Sequence, residues 1–140
     1  MFLEQAVLEV MTGIPELIAL LGSADNILPR GDIQNHPLPY LVHFPVSAAP
    51  LHVHSRSGSS LVAQEHYPFY QVSVFGSTPL VCRQIAEVLK ASLDGFFEVG
   101  SPATSIEIFL VNERMIDYEQ DVMVSHMAID FQVFYENPLL

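Results

Sequence analysis

Apolar residues near the start of the chain recur at the spacing of an amphipathic helix. From Phe2 to Met11 they fall every three or four positions, and glutamate and glutamine occupy the rest of the helical wheel. Gly13 interrupts this pattern. The run from Pro15 to Leu21 predicts a second, short helix, because proline suits a first helical turn and Gly22 suits a C-terminal cap. We therefore expect two helices separated by a bend.

Farther along the chain, apolar and polar side chains alternate, which is typical of strands. The alternation predicts strands at Tyr40 to Val46, Phe69 to Phe75, Ile106 to Val111 and Val122 to Tyr135, after a brief extended piece within Asn26 to Gln34. Both alternating sets are apolar from Phe69 to Phe75, so we expect that strand in the middle of a sheet. Pro39 and Pro45 bound the strand from Tyr40. Because proline lacks an amide donor, that strand should be short or lie near a sheet edge.

The clearest helix lies in the middle of the chain. Ser77 can cap its first turn, Pro79 can occupy that turn, and an apolar stripe continues to Leu93 before Asp94 and Gly95 end the pattern. Strands before and after one long helix favour an α+β fold. We expect a two-layer sandwich, in which a mixed or antiparallel sheet of about four to five strands carries the N-terminal helices and the long helix on one face.

Two polar segments interrupt these elements. Residues 47–64 are rich in Ser, Ala, His and Gly, and we expect a variable loop or hairpin insertion there, within a single domain that spans residues 1–140. Residues 112–121 are charged and are predicted to form a solvated connection between the last two strands.

Charge and composition narrow the range of functions. Of the 140 residues, 16 are acidic and 5 are basic, which gives a formal net charge of -11, and the basic residues do not cluster. Binding of nucleic-acid phosphates needs clustered Lys and Arg, so the charge argues against a nucleic-acid-binding protein. The single cysteine, Cys82, suits a reducing compartment. We expect no signal peptide, and no membrane helix because no apolar run approaches ~20 residues.

Candidate catalytic and metal-binding residues are few. His52 and His54 are two positions apart and could point the same way on a strand, but no metal-ligand motif accompanies them. Cys82 lies on the apolar stripe of the long helix, where a thiol is normally an inert core group. The acidic residues from Glu113 to Asp121 lack the spacing of a calcium loop. We therefore expect no enzyme, no metal and no cofactor, but a protein that acts by binding other proteins.

The order of the segments resembles one family of phage proteins. The segments that carry the resemblance are Leu20-Leu21-Gly22, Ile27-Leu28-Pro29, Leu38 to Val42, Phe69 to Gly76, the long helix to Leu93-Asp94-Gly95, Ile106 to Arg114, Asp117-Tyr118 and Met127 to Tyr135. In this order and spacing, over nearly the whole chain, they are similar to the tail-completion, or tail-terminator-like, proteins of tailed bacteriophages and prophage-derived particles.

The resemblance implies a structural protein of the virion. Such subunits are expected to form a ring, usually a hexamer, on the head-proximal end of the tail, where the ring stops growth of the tail tube and presents a surface for docking the head. The partners implied are further copies of the chain, the tail-tube protein and a head-to-tail connector protein, with no membrane. Assembly would take place in the cytoplasm of the bacterial host, and free subunits are expected to be monomers until they meet their template. DNA would pass through the lumen without specific binding, since an acidic wall repels phosphates.

Seven polar residues are candidates for assembly contacts because of their position in the insertion and in the last connection. They are His52, His54, Arg56, Glu113, Arg114, Asp117 and Tyr118. Two other functions stay open at this point. One is a head-to-tail connector or stopper, which would bind the portal side of the joint. The other is a small metal- or ligand-binding domain that depends on the histidines.

Overall fold

A computed structural model describes residues 3–29, 36–46, 53–57, 60–100, 104–119 and 124–138. In chain order the elements are α1 (Leu3–Thr12), α2 (Pro15–Leu21), a 3-10 turn (Ala24–Asn26), β1 (Ile27–Pro29), β2 (Tyr40–Pro45), β3 (Val53–Ser57), β4 (Ser60–Gly76), α3 (Pro79–Leu93), β5 (Phe96–Gly100), β6 (Thr104–Glu119) and β7 (Val124–Pro138). The fold is α+β with three helices and a mixed sheet, as the sequence predicts. The prediction of four to five strands was too low, because the described residues form seven.

All seven strands belong to one sheet. Six follow the order β1-β2-β4-β7-β6-β5, and β3 pairs with the first part of β4. β1 and β2 run parallel, and the other strand pairs of the described residues are antiparallel. The segment of β4 that was predicted to be central lies between β2 and β7. β3 and the start of β4 form a hairpin in which Ser57 is opposite Ser60.

The three helices pack on one face of the sheet and enclose the core. The apolar stripe of α3 is fully buried and comprises Cys82, Ile85, Ala86, Leu89 and Leu93. It packs with alternate residues of the two central strands, among them Val72 and Val74 on β4 and Ile129 and Phe131 on β7. Burial of a Leu or Ile side chain stabilises the fold by roughly 2 kcal/mol, so this stripe fixes α3 on the sheet. Within the described residues, no helix has the length and apolar character needed to cross a membrane.

Local backbone chemistry sets the ends of the helices. α2 ends at Gly22, whose φ of 88° lies in the left-handed region and whose N–H donates to the Ile18 carbonyl. α3 is capped by Thr78, where Ser77 was predicted: Thr78 Oγ1 accepts a hydrogen bond from Val81 N at 3.2 Å. Because the capping oxygen serves an amide two or three residues along the chain, a helix that begins at residue 79 takes its cap from residue 78.

The structure corrects the prediction for residues 112–121. Residues 112–119 are not a connection but continue β6 to Glu119, paired with β7; residues 120 and 121 lie outside the described residues. The register shifts twice along β6, between Leu110 and Asn112 and between Met115 and Asp117. Each bulge adds a residue and breaks the alternation on which a strand prediction depends. β5 pairs only with the first part of β6, to Ile108.

Candidate functional site

The face of the sheet that lacks helices carries polar side chains and exposed aromatic side chains. Residues directly opposite one another on neighbouring strands share a face, so the register defines rows across this helix-free face. From β2 through β4 and β7 to β6, the rows include Tyr40–Phe75–His126, Val42–Ser73–Ala128–Arg114 and Phe44–Gln71–Asp130–Asn112.

Four side chains form a hydrogen-bonded chain across the middle of this face, which we call the polar bridge: Arg114, Asp130, Gln71 and Ser73. Arg114 donates from Nη1 to Asp130 Oδ2 and from Nη2 to Gln71 Oε1 (3.3 Å), and Gln71 Nε2 donates to Ser73 Oγ (2.6 Å). The guanidinium therefore reaches from β6 across β7 to β4. Ala128, which is opposite Arg114, leaves room for that reach because its side chain is small.

Asp130 is the buried member of the polar bridge. Its side chain is 8% exposed, whereas that of Arg114 is 46% exposed. A carboxylate at this depth is costly to bury without a cation and hydrogen-bond donors, and Arg114 supplies both. The polar bridge therefore ties three strands together on the side that has no helices.

Three stacked rings lie beside the polar bridge. Phe75 stacks on Tyr40 with ring centroids 4.9 Å apart and on His126 at 4.2 Å, each with an interplanar angle of 16°. Burial lowers the pKa of His126, and the nearby Arg114 charge lowers it further. His126 is thus neutral at pH 7. Its buried Nε2 has no hydrogen-bond partner among the described residues.

Exposed phenylalanines cross the sheet next to the polar bridge, and we call them the phenylalanine band: Phe69 on β4, Phe97 on β5, Phe109 on β6 and Phe134 on β7. Their side chains are 44%, 58%, 36% and 39% exposed, respectively. The rings of Phe109 and Phe134 meet edge to face, 6.1 Å apart. Val46 continues the band beside Phe69, since its N–H donates to the Phe69 carbonyl at 3.0 Å. Half of the ten large exposed apolar side chains in the described residues thus lie together, and grouped exposed apolar side chains are typical of surfaces that bind a partner or a ligand.

A second buried histidine lies on the helix side of the sheet. His43 is 2% exposed, and its Nδ1 is 2.7 Å from the Tyr70 hydroxyl. Burial lowers the pKa of His43 to about 4, so the ring is neutral at pH 7. The pair is enclosed by the core and has a structural rather than a surface role.

The structure brings only some of the predicted contact residues together. Arg114 lies in the polar bridge. Glu113, its neighbour on β6, is on the opposite face and accepts a hydrogen bond from Lys90 Nζ at 2.8 Å. The hydrogen bonds to Glu113 and then to Glu87 raise the pKa of Lys90. The Arg114 bond lies within the sheet, whereas the Glu113–Lys90 pair links β6 to α3.

The remaining predicted contact residues lie elsewhere. Asp117 and Tyr118 belong to the far end of β6, and His54 and Arg56 belong to β3, which pairs with β4. His52 lies outside the described residues. The β3 residues and the β6 residues are on separate strands of the sheet, with β4 and β7 between them.

No group of three or more His, Cys, Asp or Glu side chains in the described part of the chain is arranged to hold a metal. The Cys82 thiol is buried, with Sγ 3.3 Å from the Ser125 carbonyl oxygen, and burial raises its pKa despite a hydrogen bond to the Gly76 backbone. A protonated, enclosed thiol is a poor nucleophile.

Sequence reasoning missed the phenylalanine band. Phe69, Phe109 and Phe134 lie on predicted strands, at positions out of phase with the core residues, and this was the available signal. β5, which carries Phe97, was not predicted, because a five-residue strand has too few positions to show a period. The register of the sheet was needed to place all four on one face.

Comparison with known proteins gives a match of fold. A solved structure described as "Virion of native gene transfer agent (GTA) particle" contains a chain that superposes with a TM-score of 0.65 and 14% sequence identity, covering 96% of this chain and 95% of that chain. No protein-family model matches the sequence. No curated protein matches it either. The match extends over nearly the whole length of both chains.

Proposed function

We propose that this chain is a structural protein of a virion, and more specifically a tail-terminator or tail-completion subunit. In this role it forms a ring at the head-proximal end of the tail, stops polymerisation of the tail tube and provides the surface to which the head docks. The observation that carries the proposal is the fold match, over nearly the full length of both chains, with a component of a gene transfer agent virion. The order of the sequence segments, which resembles the tail-terminator-like family, supports the finer assignment.

The surface of the molecule is compatible with this role. A subunit at the joint between head and tail needs surfaces for the proteins that it docks to, and the phenylalanine band offers an exposed apolar one. A net charge of -11 suits a lumen through which DNA passes without adhering. The ring itself would be built from copies related by rotation, with different patches of each subunit in contact.

A connector or stopper on the head side of the same joint is the second candidate. The description of the matching structure names the particle and not the component, so the fold match supports both assignments. The partner distinguishes them, because a terminator binds the end of the tail tube and a connector binds the portal side.

The test is assembly with the tail-tube protein of the same particle. Light scattering would give the mass of the purified chain alone and after mixing, and negative-stain electron microscopy would show the large species. We expect rings or end caps, and tubes that stop lengthening when the chain is added, whereas tubes without it continue to grow. Unchanged tube growth together with stable binding to the portal complex would reassign the chain to the connector class. Binding to neither would remove the proposal.

A further inference from the structure

The phenylalanine band surrounds a carboxylate. Glu107 on β6 is directly opposite Phe134 on β7 and Phe97 on β5, so one row of the helix-free face reads phenyl, carboxylate, phenyl. Phe109, two positions along β6, shares that face and lies against the Phe134 ring. Three exposed rings are thus arranged around one carboxylate.

The three cations whose side chains the structure describes are placed elsewhere. Lys90 and Arg83 are on α3, on the other side of the sheet, and Arg114 is bonded to Asp130. Glu107 makes no hydrogen bond or ion pair with any residue of the described ranges. Its charge is therefore available to a partner.

We propose that the phenylalanine band and Glu107 form a docking site for a segment of another virion protein that presents an arginine or lysine among apolar residues. The proposal rests on the virion role proposed above and assigns the surface that serves it. The aliphatic stem of an arginine or lysine would lie on the phenyl rings, whose faces attract the cation, while the head group would reach the Glu107 carboxylate. Arginine suits such a site best, because its planar guanidinium both stacks on rings and pairs with carboxylates.

Charge selects a different protein rather than a second copy of this chain as the occupant. Each copy has a net charge of -11 and only five basic residues, so two copies repel and have few cations to offer. The same negative charge attracts a partner that has basic residues and steers it towards the surface.

The direct test is photo-cross-linking within the particle. Phe97 is replaced by the photoreactive amino acid p-benzoylphenylalanine, particles are purified and irradiated, and the cross-linked peptides are identified by mass spectrometry. Leu80, which is 65% exposed on α3 on the opposite side of the sheet, receives the same replacement as the matched control. We expect position 97 to cross-link to a lysine- or arginine-containing peptide of another virion protein, and position 80 not to reach that peptide.

Three outcomes would overturn the inference, and they are distinguishable. Cross-links from position 97 to a second copy of this chain would show that the band is a ring contact. Absence of cross-links at position 97, in particles that contain the chain, would show that the band is not a docking site while the virion role stands. Absence of the chain from purified particles would remove the virion role and this inference with it.

A charge variant provides the second test. Glu107→Gln keeps the shape of the side chain and should weaken binding to the cross-linked partner by about tenfold, because it removes one half of a charge pair. Glu98→Gln is the matched control, since Glu98 is opposite Ile106 and so lies on the helix side of the sheet. Equal affinities for the two variants would contradict the role given to Glu107.

Discussion

At the scale of single residues, the polar bridge is the feature most sensitive to substitution. Arg114→Met would leave the buried Asp130 carboxylate without its cation, and we expect a loss of about 2 kcal/mol in the free energy of unfolding, less than for a fully buried pair because the guanidinium is partly exposed. Urea denaturation at pH 7 measures this loss.

The polar bridge also predicts coupling between its two charged residues. The double variant Arg114→Met with Asp130→Asn should be more stable than Arg114→Met alone, because the uncompensated charge is gone. Arg83→Met, on the exposed side of α3, is the control and should change stability by less than about 0.5 kcal/mol. Additive losses in the double variant would mean that Arg114 stabilises the sheet through packing and not through Asp130.

His43 predicts a loss of stability in mild acid. Its pKa is about 4 in the folded protein, below the ~6.5 of an unfolded histidine, so the unfolded state binds more protons as the pH falls below 6.5. The loss grows down to about pH 4, where the folded state is protonated as well. Between pH 7 and 4.5 this residue alone should lower the free energy of unfolding by about 2 kcal/mol.

The prediction for His43 is tested by comparing the pH dependence of stability in the natural chain and in the variant His43→Gln. His43→Gln keeps a polar side chain that does not titrate, while His126, whose pKa is also lowered by burial, is retained in both proteins. The stability advantage of the natural chain over the variant should therefore shrink as the pH falls from 7 to 4.5. An advantage that does not change with pH would show that His43 is charged or accessible in the folded state.

At the scale of elements, the cap of α3 makes a one-residue prediction. Thr78→Ala removes the oxygen that accepts the Val81 N–H and should cost about 1 kcal/mol, whereas Thr78→Ser should retain most of that stability. Ser77→Ala tests the alternative cap and should be nearly neutral. Thermal or urea unfolding of the three variants decides the matter, and a larger loss at residue 77 than at residue 78 would contradict the boundary of α3.

Elements differ in how far the sequence determines them. α3 was predicted nearly to its ends, because an apolar stripe, a proline in the first turn and a terminal glycine all act locally. β6 was predicted only to Val111, because its bulges shift the alternation and its second part lies beyond the pairing of β5. The alternation of apolar and polar residues in a strand reflects the burial of one face against the core. A strand that extends beyond the core can therefore keep its backbone hydrogen bonds although its sequence no longer alternates.

The candidate site depends on register, which no single segment contains. Arg114 could be selected as a charged residue from the sequence, but its bond to Asp130 requires that β6 and β7 pair with a specific offset. In the same way, Glu107 acquires its two phenyl neighbours from strands on either side. The sequence therefore predicted residue types that favour protein contact, and the three-dimensional pairing was needed to define the surface.

At the scale of the whole molecule, charge predicts that two kinds of assembly respond oppositely to salt. Copies with a net charge of -11 repel one another, and salt screens that repulsion over a Debye length that falls from about 10 Å at 0.1 M to about 3 Å at 1 M. Self-association into the proposed ring should therefore strengthen as salt is raised. Docking of a basic segment at Glu107 depends on attraction, so its affinity should fall over the same range.

Two measurements separate self-association from docking, each made at about 0.05 M and about 0.5 M NaCl. Light scattering of the chain alone reports self-association, and a binding titration with the cross-linked partner reports docking. A ring that weakens with salt would indicate that ion pairs between copies hold it together, which would require the few cations of the chain to face a neighbour. A docking affinity that rises with salt would mean that the phenylalanine band binds an apolar segment and that Glu107 does not contribute to the affinity. We expect self-association to strengthen and docking to weaken as salt is raised, because the net charge of -11 repels other copies and the Glu107 carboxylate among the exposed rings attracts a cation.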